Sequence, residues 1–330
     1  MKLAVLGAGG WGTAFSRLLA NAGHETILWA RDPAQAEAIS KARENVKYLP
    51  GVNLPTARLD ITSRIEDAGS AAAIFLAVPS FAMAETCERV APHLRRQPAL
   101  VSLAKGLDRA TGQTMSDVLH SMVHDSTVFA MSGPSHAEEV GRDMPTAVVL
   151  AGKDQALGRR LQRAIGTSRF RVYWSDDLHG VEICAAVKNV IALATGISDG
   201  LGYGDNSRGA LITRGLAEMV RFGRSLGVHD STYFGLSGLG DLVATCTSVH
   251  SRNRAVGYRL GRGERLDVIL DDMVMVAEGV FATRIVRDMA RARGIEMPIT
   301  EAVDRMLDGT ADALSLVDEI MTREPKAESH

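Results

Sequence analysis

The sequence predicts an α/β chain in two parts: an N-terminal doubly wound domain on a parallel sheet, then an all-α C-terminal domain. Three observations carry this reading. Short, uniformly apolar runs alternate with helix-like segments over the first half of the 330 residues, as a parallel sheet covered on both faces requires. A glycine-rich turn joins the first such run to the first helical stretch. After about Asp177 the texture becomes helical, with few β-branched runs.

Residues 2–6 open the chain as a strand and 11–22 read as a helix. Residues 25–30 are the next strand candidate, followed by a helix over 33–41. Runs at 73–78, 99–103, 127–131 and 146–150 are further strands, with helical stretches between them. Beyond them, 181–195, 208–226, 251–261, 283–293 and 300–307 read as helices. The boundary falls where Ser175-Asp176-Asp177 offers helix N-cap oxygens. That gives an α/β domain over 1–178 and an all-α domain over 179–330.

Composition narrows the function classes. Hydrophobic residues at 46% and charged residues at 23% exclude a disordered chain. A net charge of −2 argues against a general nucleic-acid or polybasic membrane surface, and leaves room for a local anion site. The uncharged stretch 68–84 is interrupted by Pro79 and is too short and broken to span a membrane. The N-terminus reaches Gly7 too early for a signal-peptide apolar region. Cys87, Cys184 and Cys246 form no C-x-x-C pair, which points to reduced thiols in a cytoplasm and no structural zinc.

The strand 2–6 runs directly into Gly7-Ala8-Gly9-Gly10-Trp11-Gly12, a G-x-G-x-x-G turn between a strand and a helix. Gly7 permits the tight turn, Gly9 lets the backbone approach a pyrophosphate, and Gly12 lets helix and strand pack closely. The anion then meets free N–H groups at a helix N-terminus. This is the Rossmann fingerprint in its proper context. The second strand ends in Arg31-Asp32-Pro33. Asp followed by Pro is a standard helix start, so Asp32 reads as a cap. Arg31 is left facing the adenosine ribose, as a partner for a 2′-phosphate or as a solvated surface arginine.

Later strands end in Pro79-Ser80, Ala104-Lys105-Gly106 and Ser132-Gly133-Pro134-Ser135. The C-terminal ends of parallel strands share one edge, which carries the ligand crevice. Lys105, Gly133 and Ser135 are therefore expected to converge.

In the helical half, 181–194 is apolar almost all round, interrupted by Lys188 and Asn189. A buried ammonium needs partners or a shifted pKa. The alternative is a lysine that snorkels to the surface. Beside a dinucleotide, Lys188 reads as a proton donor to a carbonyl. The segment 235–248 combines glycines and hydroxyls with Asp241, which either caps a helix or orients Lys188. Ser251-Arg252-Asn253-Arg254 opens a helix with a serine cap and a guanidinium fork, a combination suited to phosphate. His120 and His124 sit four residues apart without a third ligand and read as a solvated face.

Together these residues resemble the bacterial NAD(P)-dependent glycerol-3-phosphate dehydrogenases. The resemblance runs from Lys2 to about Ile320, and includes Ala186-Val187-Lys188-Asn189-Val190, 198–204, 238–242, Val276-Ala277-Glu278-Gly279 and Met297-Pro298-Ile299-Thr300. It implies reversible reduction of dihydroxyacetone phosphate to sn-glycerol 3-phosphate for glycerophospholipid synthesis, with NADP(H) and also NAD(H), and Lys188 as the proton carrier. It implies substrate contacts at Lys105, Gly133, Ser135, Lys188, Asp241, Ser251, Arg252 and Asn253, with Thr245 a hydroxyl near Lys188. It places Gly10, Trp11, Arg31, Lys105, Ala137, Arg252, Val276 and Glu278 toward the cofactor. The nicotinamide carries the redox chemistry, so no metal is called for. No nucleic acid and no integral membrane association are expected, and the sequence leaves a homodimer open. A related 3-hydroxyacid or 6-phosphogluconate-type dehydrogenase, or a non-catalytic dinucleotide sensor, are the competing readings.

Overall fold

The computed structural model describes residues 1–95, 97–322 and 324. The chain divides into two compact units. The first combines Met1–Ala186 with Leu226–Asp241, and the second combines Val187–Ser225 with the chain from Leu242 onward.

The strands of the first unit are β1 (Lys2–Leu6), β2 (Glu25–Trp29), β3 (Glu44–Asn45), β4 (Leu49–Asn53), β5 (Leu59–Thr62), β6 (Ala73–Leu76), β7 (Ala99–Ser102), β8 (Val128–Ser132), β9 (Thr146–Gly152) and β10 (Phe170–Ser175). Helices α1 (Gly10–Asn21), α2 (Pro33–Ala42), α3 (Met83–Val90), α4 (Met115–Met122), α5 (Ala137–Gly141) and α6 (Gln155–Ile165) lie between them. Then come α7 (Leu178–Gly200), α8 (Asp205–Arg224), α9 (Asp230–Tyr233), α10 (Asp241–Thr247) and α11 (Arg252–Gly261). The chain continues through α12 (Leu266–Asp271), α13 (Glu278–Arg291), α14 (Pro298–Leu307) and α15 (Ala313–Met321).

Eight strands form one sheet in the order β10-β9-β8-β7-β6-β1-β2-β5, and β3 pairs with β4 as a separate hairpin. Alternate residues of each central strand feed opposite cores. Leu3, Val5, Phe75 and Val101 join Phe15 on one face, while Ala4, Leu6, Ile74, Leu76 and Leu100 join Met83 on the other. Both faces are covered, which is why these strands read as unbroken apolar runs.

The sheet is not wholly parallel, a correction to the sequence reading. β9 pairs antiparallel with β8, and β10 is parallel to β9. The helix between β8 and β9 is the five-residue α5, about 7.5 Å long, too short to carry the chain back along β8 as a parallel crossover requires. β5, the β3–β4 hairpin and β10 were not anticipated. β10 alternates buried and exposed residues at the sheet edge, so it lacks the continuous apolar run that marks its neighbours.

Among the described residues of the second unit every regular element is a helix. Its core gathers Val190, Leu193 and Ile197 of α7, Val256 and Leu260 of α11, Val280 of α13, and Ile299 and Val303 of α14. α7 is long and apolar enough to cross a membrane, yet its apolar stretch is fully buried in the fold. Its start matches the expected cap: the Gly180 N–H donates to Asp177 Oδ1 at 3.1 Å.

Candidate functional site

The glycine turn has the geometry its sequence requires. Gly7 sits at φ +116°, and a Cβ there would stand 2.6 Å from the Ala77 carbonyl oxygen. A Cβ on Gly12 would stand 1.9 Å from the Gly7 carbonyl oxygen, so only glycine lets α1 pack against the turn. Gly9 is different: nothing lies within 4 Å of a Cβ built there. That open backbone, at the N-cap of α1, leaves room for an anion against the helix N-terminus. Gly10 packs under the Tyr48 carbonyl and beside Ala137, the first residue of α5. The Trp11 ring lies 5.6 Å from Phe15 and 6.4 Å from Phe170, which anchors the first turn of α1 in the core.

Two residues that the sequence did not reveal hold this turn. Asn45 Nδ2 donates to the Ala8 carbonyl at 2.9 Å and to Thr13 Oγ1 at 2.8 Å, and Gln35 Nε2 donates to the same carbonyl at 2.8 Å. They come from the β3 strand and α2, and no local pattern marks either. At the end of β2, Asp32 Oδ1 accepts the Ala34 N–H at 3.0 Å, with Pro33 at the first helical position. Asp32 is a cap, as expected. Arg31 is exposed, so its guanidinium is available to a ligand.

Lys105, Gly133 and Ser135 come together. Lys105 Nζ donates to the Gly133 carbonyl at 2.8 Å and lies 3.4 Å from Ser135 Oγ. It also pairs with Asp241 Oδ2 at 2.8 Å, and Ser132 Oγ donates to that oxygen at 3.4 Å. Asp241 is thus both the first residue of α10 and the buried counter-charge of a half-buried lysine. A widened turn delivers it: the Gly240 N–H reaches back five residues to the Gly235 carbonyl at 3.1 Å. Gly238 is obligatory there, because a Cβ would stand 2.2 Å from the Tyr233 carbonyl oxygen.

In the second unit Lys188 is only 3% exposed, which rules out a lysine snorkelling to the surface. Its Nζ donates to Thr245 Oγ1 at 2.6 Å, so the hydroxyl aims the ammonium. Ser251 caps α11 through its Oγ, which accepts the Arg254 N–H at 3.3 Å. Asn253 Nδ2 donates to Asn189 Oδ1, and Asn253 Oδ1 accepts the Gly279 N–H, both at 2.9 Å. Exposed Arg252 donates through Nη1 to the Val276 carbonyl at 2.8 Å, close to Glu278 at the start of α13. The structure therefore gathers Arg252, Val276 and Glu278 in one neighbourhood.

Other features fall outside these clusters. An apolar cavity of about 1390 Å³ lined by Ile197, Leu211, Ile299, Val303 and Leu316 contains none of the predicted site residues. His120 and His124 are both exposed. All three cysteines are buried thiols outside any disulfide, and burial pushes the Cys87 thiol up to about 11, away from reactivity.

The chain matches two family models in succession. Residues 2–158 match the N-terminal model of NAD-dependent glycerol-3-phosphate dehydrogenase, and 177–318 match its C-terminal model. The glycerol-3-phosphate dehydrogenase (NAD(P)+) of Chlorobium limicola is 48% identical over 331 residues, covering 99% of each chain. That of Pelotomaculum thermopropionicum is 46% identical over 98% of this chain and 93% of its own. The crystal structure of glycerol-3-phosphate dehydrogenase from Coxiella burnetii superposes with a TM-score of 0.93 at 37% identity, covering 98% of this chain and 99% of that one. With both halves matched and a relative this similar over its whole length, the chain belongs to the NAD-dependent glycerol-3-phosphate dehydrogenase family.

Proposed function

We propose that this protein reduces dihydroxyacetone phosphate to sn-glycerol 3-phosphate, reversibly, with NADPH or NADH, in the cytoplasm, supplying glycerophospholipid synthesis. The observation that carries the reading is Lys188: an ammonium buried in an apolar helix and aimed by Thr245, in the same unit as a capped helix start bearing Arg252 and Asn253.

The functional division proposed is residues 1–178 for the cofactor and 179–330 for substrate and proton transfer. Gly7, Gly9, Gly10, Trp11 and Gly12 form the pyrophosphate turn, and Arg31 meets the ribose. Ala137, Val276, Glu278, Lys105 and Arg252 contribute further cofactor contacts. The bound nicotinamide supplies the hydride. Lys188 gives its Nζ proton to the substrate carbonyl oxygen, and takes it back in the reverse direction. Arg252, Asn253 and the N–H groups behind Ser251 grip the phosphate, so that binding energy far from the reacting carbon orients the carbonyl. Lys105, held by Asp241 with Gly133 and Ser135 beside it, adds a fixed cation for substrate oxygens.

The test is a panel of ketones with NADPH oxidation followed by absorbance. Dihydroxyacetone phosphate turns over fastest. Preference for a 3-oxo acid or a sugar-acid phosphate would move the enzyme to a sister activity. Cofactor binding without turnover would make the protein a sensor.

A further inference from the structure

The helix bearing Lys188 and the helix that opens with Ser251-Arg252-Asn253 touch backbone to backbone. A Cβ on Gly196 would stand 2.1 Å from the Arg254 carbonyl oxygen, and one on Gly200 2.3 Å from that of Tyr258. The contact is reciprocal: a Cβ on Gly257 would stand 2.1 Å from the Leu193 carbonyl oxygen, and one on Gly261 2.3 Å from that of Ile197. The partners advance together along both chains, so α7 and α11 run parallel there, each with a glycine every fourth residue against the other.

Two side-chain links hold the first turn of α11 along α7. One is Asn253 on Asn189, the neighbour of Lys188. The other lies ten residues further, about 15 Å along the helix, at Asp199. The Asp199 side chain is 6% exposed. Its Oδ2 accepts from Arg254 Nε at 2.8 Å and lies 2.7 Å from Arg254 Nη2, and its Oδ1 accepts from Arg208 Nη2 at 2.8 Å. The Arg254 guanidinium thus turns its Nε/Nη2 fork onto a single carboxylate oxygen, a charge-assisted contact that holds the arginine against Asp199. Arg254 directly follows Asn253 in the chain. Arg208 has a second acceptor in Asp205, whereas Asp199 is the one carboxylate partner of Arg254 among the described residues.

We propose that Asp199 is a positioning residue for the reaction: by clamping Arg254 it fixes the Ser251–Asn253 turn on α7, and so sets where the substrate's phosphate is held relative to the Lys188 ammonium. The inference rests on assigning that turn to phosphate. The interlocked glycines fix the helix spacing, and the buried fork fixes the orientation of the turn at their end. An error of about 1 Å in such placement costs on the order of a hundredfold in rate.

The experiment measures kcat/KM for dihydroxyacetone phosphate and for unphosphorylated dihydroxyacetone in wild type, Asp199→Asn and Arg208→Gln, with NADPH affinity and Tm alongside. Asp199→Asn is expected to lose about ten- to a hundredfold on the phosphorylated substrate and little on the other. Arg208→Gln, which leaves the Arg254 fork in place, keeps the wild-type ratio. Should Asp199→Asn fail to fold, Arg254→Gln breaks the same link and the same ratio decides. Equal losses on both substrates, or an unchanged ratio, overturn the proposal. A wild type with no preference for the phosphorylated ketone would instead overturn the phosphate assignment itself.

Discussion

Replacing Lys188 by methionine separates chemistry from folding. The residue lies in the buried α7, where Val187 and Val190 are fully buried and Ile191 is 1% exposed. Methionine fills nearly the same volume without charge. The loss includes a hydrogen bond from an ammonium to Thr245 Oγ1, worth about 1.5–3 kcal/mol. Against it stands the removal of a buried charge, whose effective desolvation penalty is several kcal/mol. The two offset, so Lys188→Met is expected to unfold at or above the wild-type temperature. Activity moves the other way. Loss of general acid catalysis lowers kcat by about 10²–10⁴-fold, or roughly 3–5 kcal/mol of barrier. The assay pairs steady-state NADPH oxidation with thermal unfolding and an NADPH titration, which stays unchanged. The reasoning fails if kcat stays within a few-fold of wild type. It fails equally if the variant melts so low that its unfolded fraction explains the lost activity.

Gly9→Ala and Gly12→Ala make a contrasting pair. The first finds open space and keeps the wild-type Tm while NADPH binding weakens, whereas the second meets the Gly7 carbonyl at 1.9 Å and lowers stability by about 1–3 kcal/mol; equal melting temperatures would refute the assignment of roles. Arg31→Ala is expected to weaken NADPH about tenfold and leave NADH unchanged, with the difference shrinking at high salt; equal losses would place Arg31 on the adenine instead. Burial pushes the carboxyl of Glu218 up to about 7 from 4.5, so the folded state holds a proton that the unfolded chain has released. The stability this supplies is complete below pH 4.5 and is lost as pH rises to about 7, a fall of roughly 3 kcal/mol. Urea unfolding at pH 5 and pH 8 should therefore show a smaller decline for Glu218→Gln than for wild type, and identical declines would refute the shift.

Legibility in the sequence followed the range of the interactions. The glycine turn, the Asp32 cap and the apolar helix around Lys188 are local patterns, and each has its expected local structure. The convergence of Lys105, Gly133 and Ser135 follows from strand ends sharing an edge, a rule of the fold and not of the segment. The antiparallel entry of β9 was hidden because β9 is as apolar as its parallel neighbours. Asn45, Gln35 and Asp199 act across gaps of 37, 27 and 55 residues, and nothing near them in the chain marks the partner. Asp241 was legible as an acid at a helix start, but its pairing with Lys105 spans 136 positions.

The long apolar helix also has a consequence for biosynthesis. The buried residues that cover the second-unit part of α7, 187–200, lie between Val256 and Ala313 and are made after it. At about 5–20 residues per second, a nascent chain carries this segment uncovered for several seconds. By length and apolarity the segment would suit a bilayer as well as a protein core. Lys188 stands near its middle, where a lysine costs about 2.5–3.5 kcal/mol on translocon-insertion scales. The ammonium proposed to move a proton in the finished enzyme therefore also biases the unfinished chain away from the membrane, and Lys188→Met would remove that bias along with the chemistry.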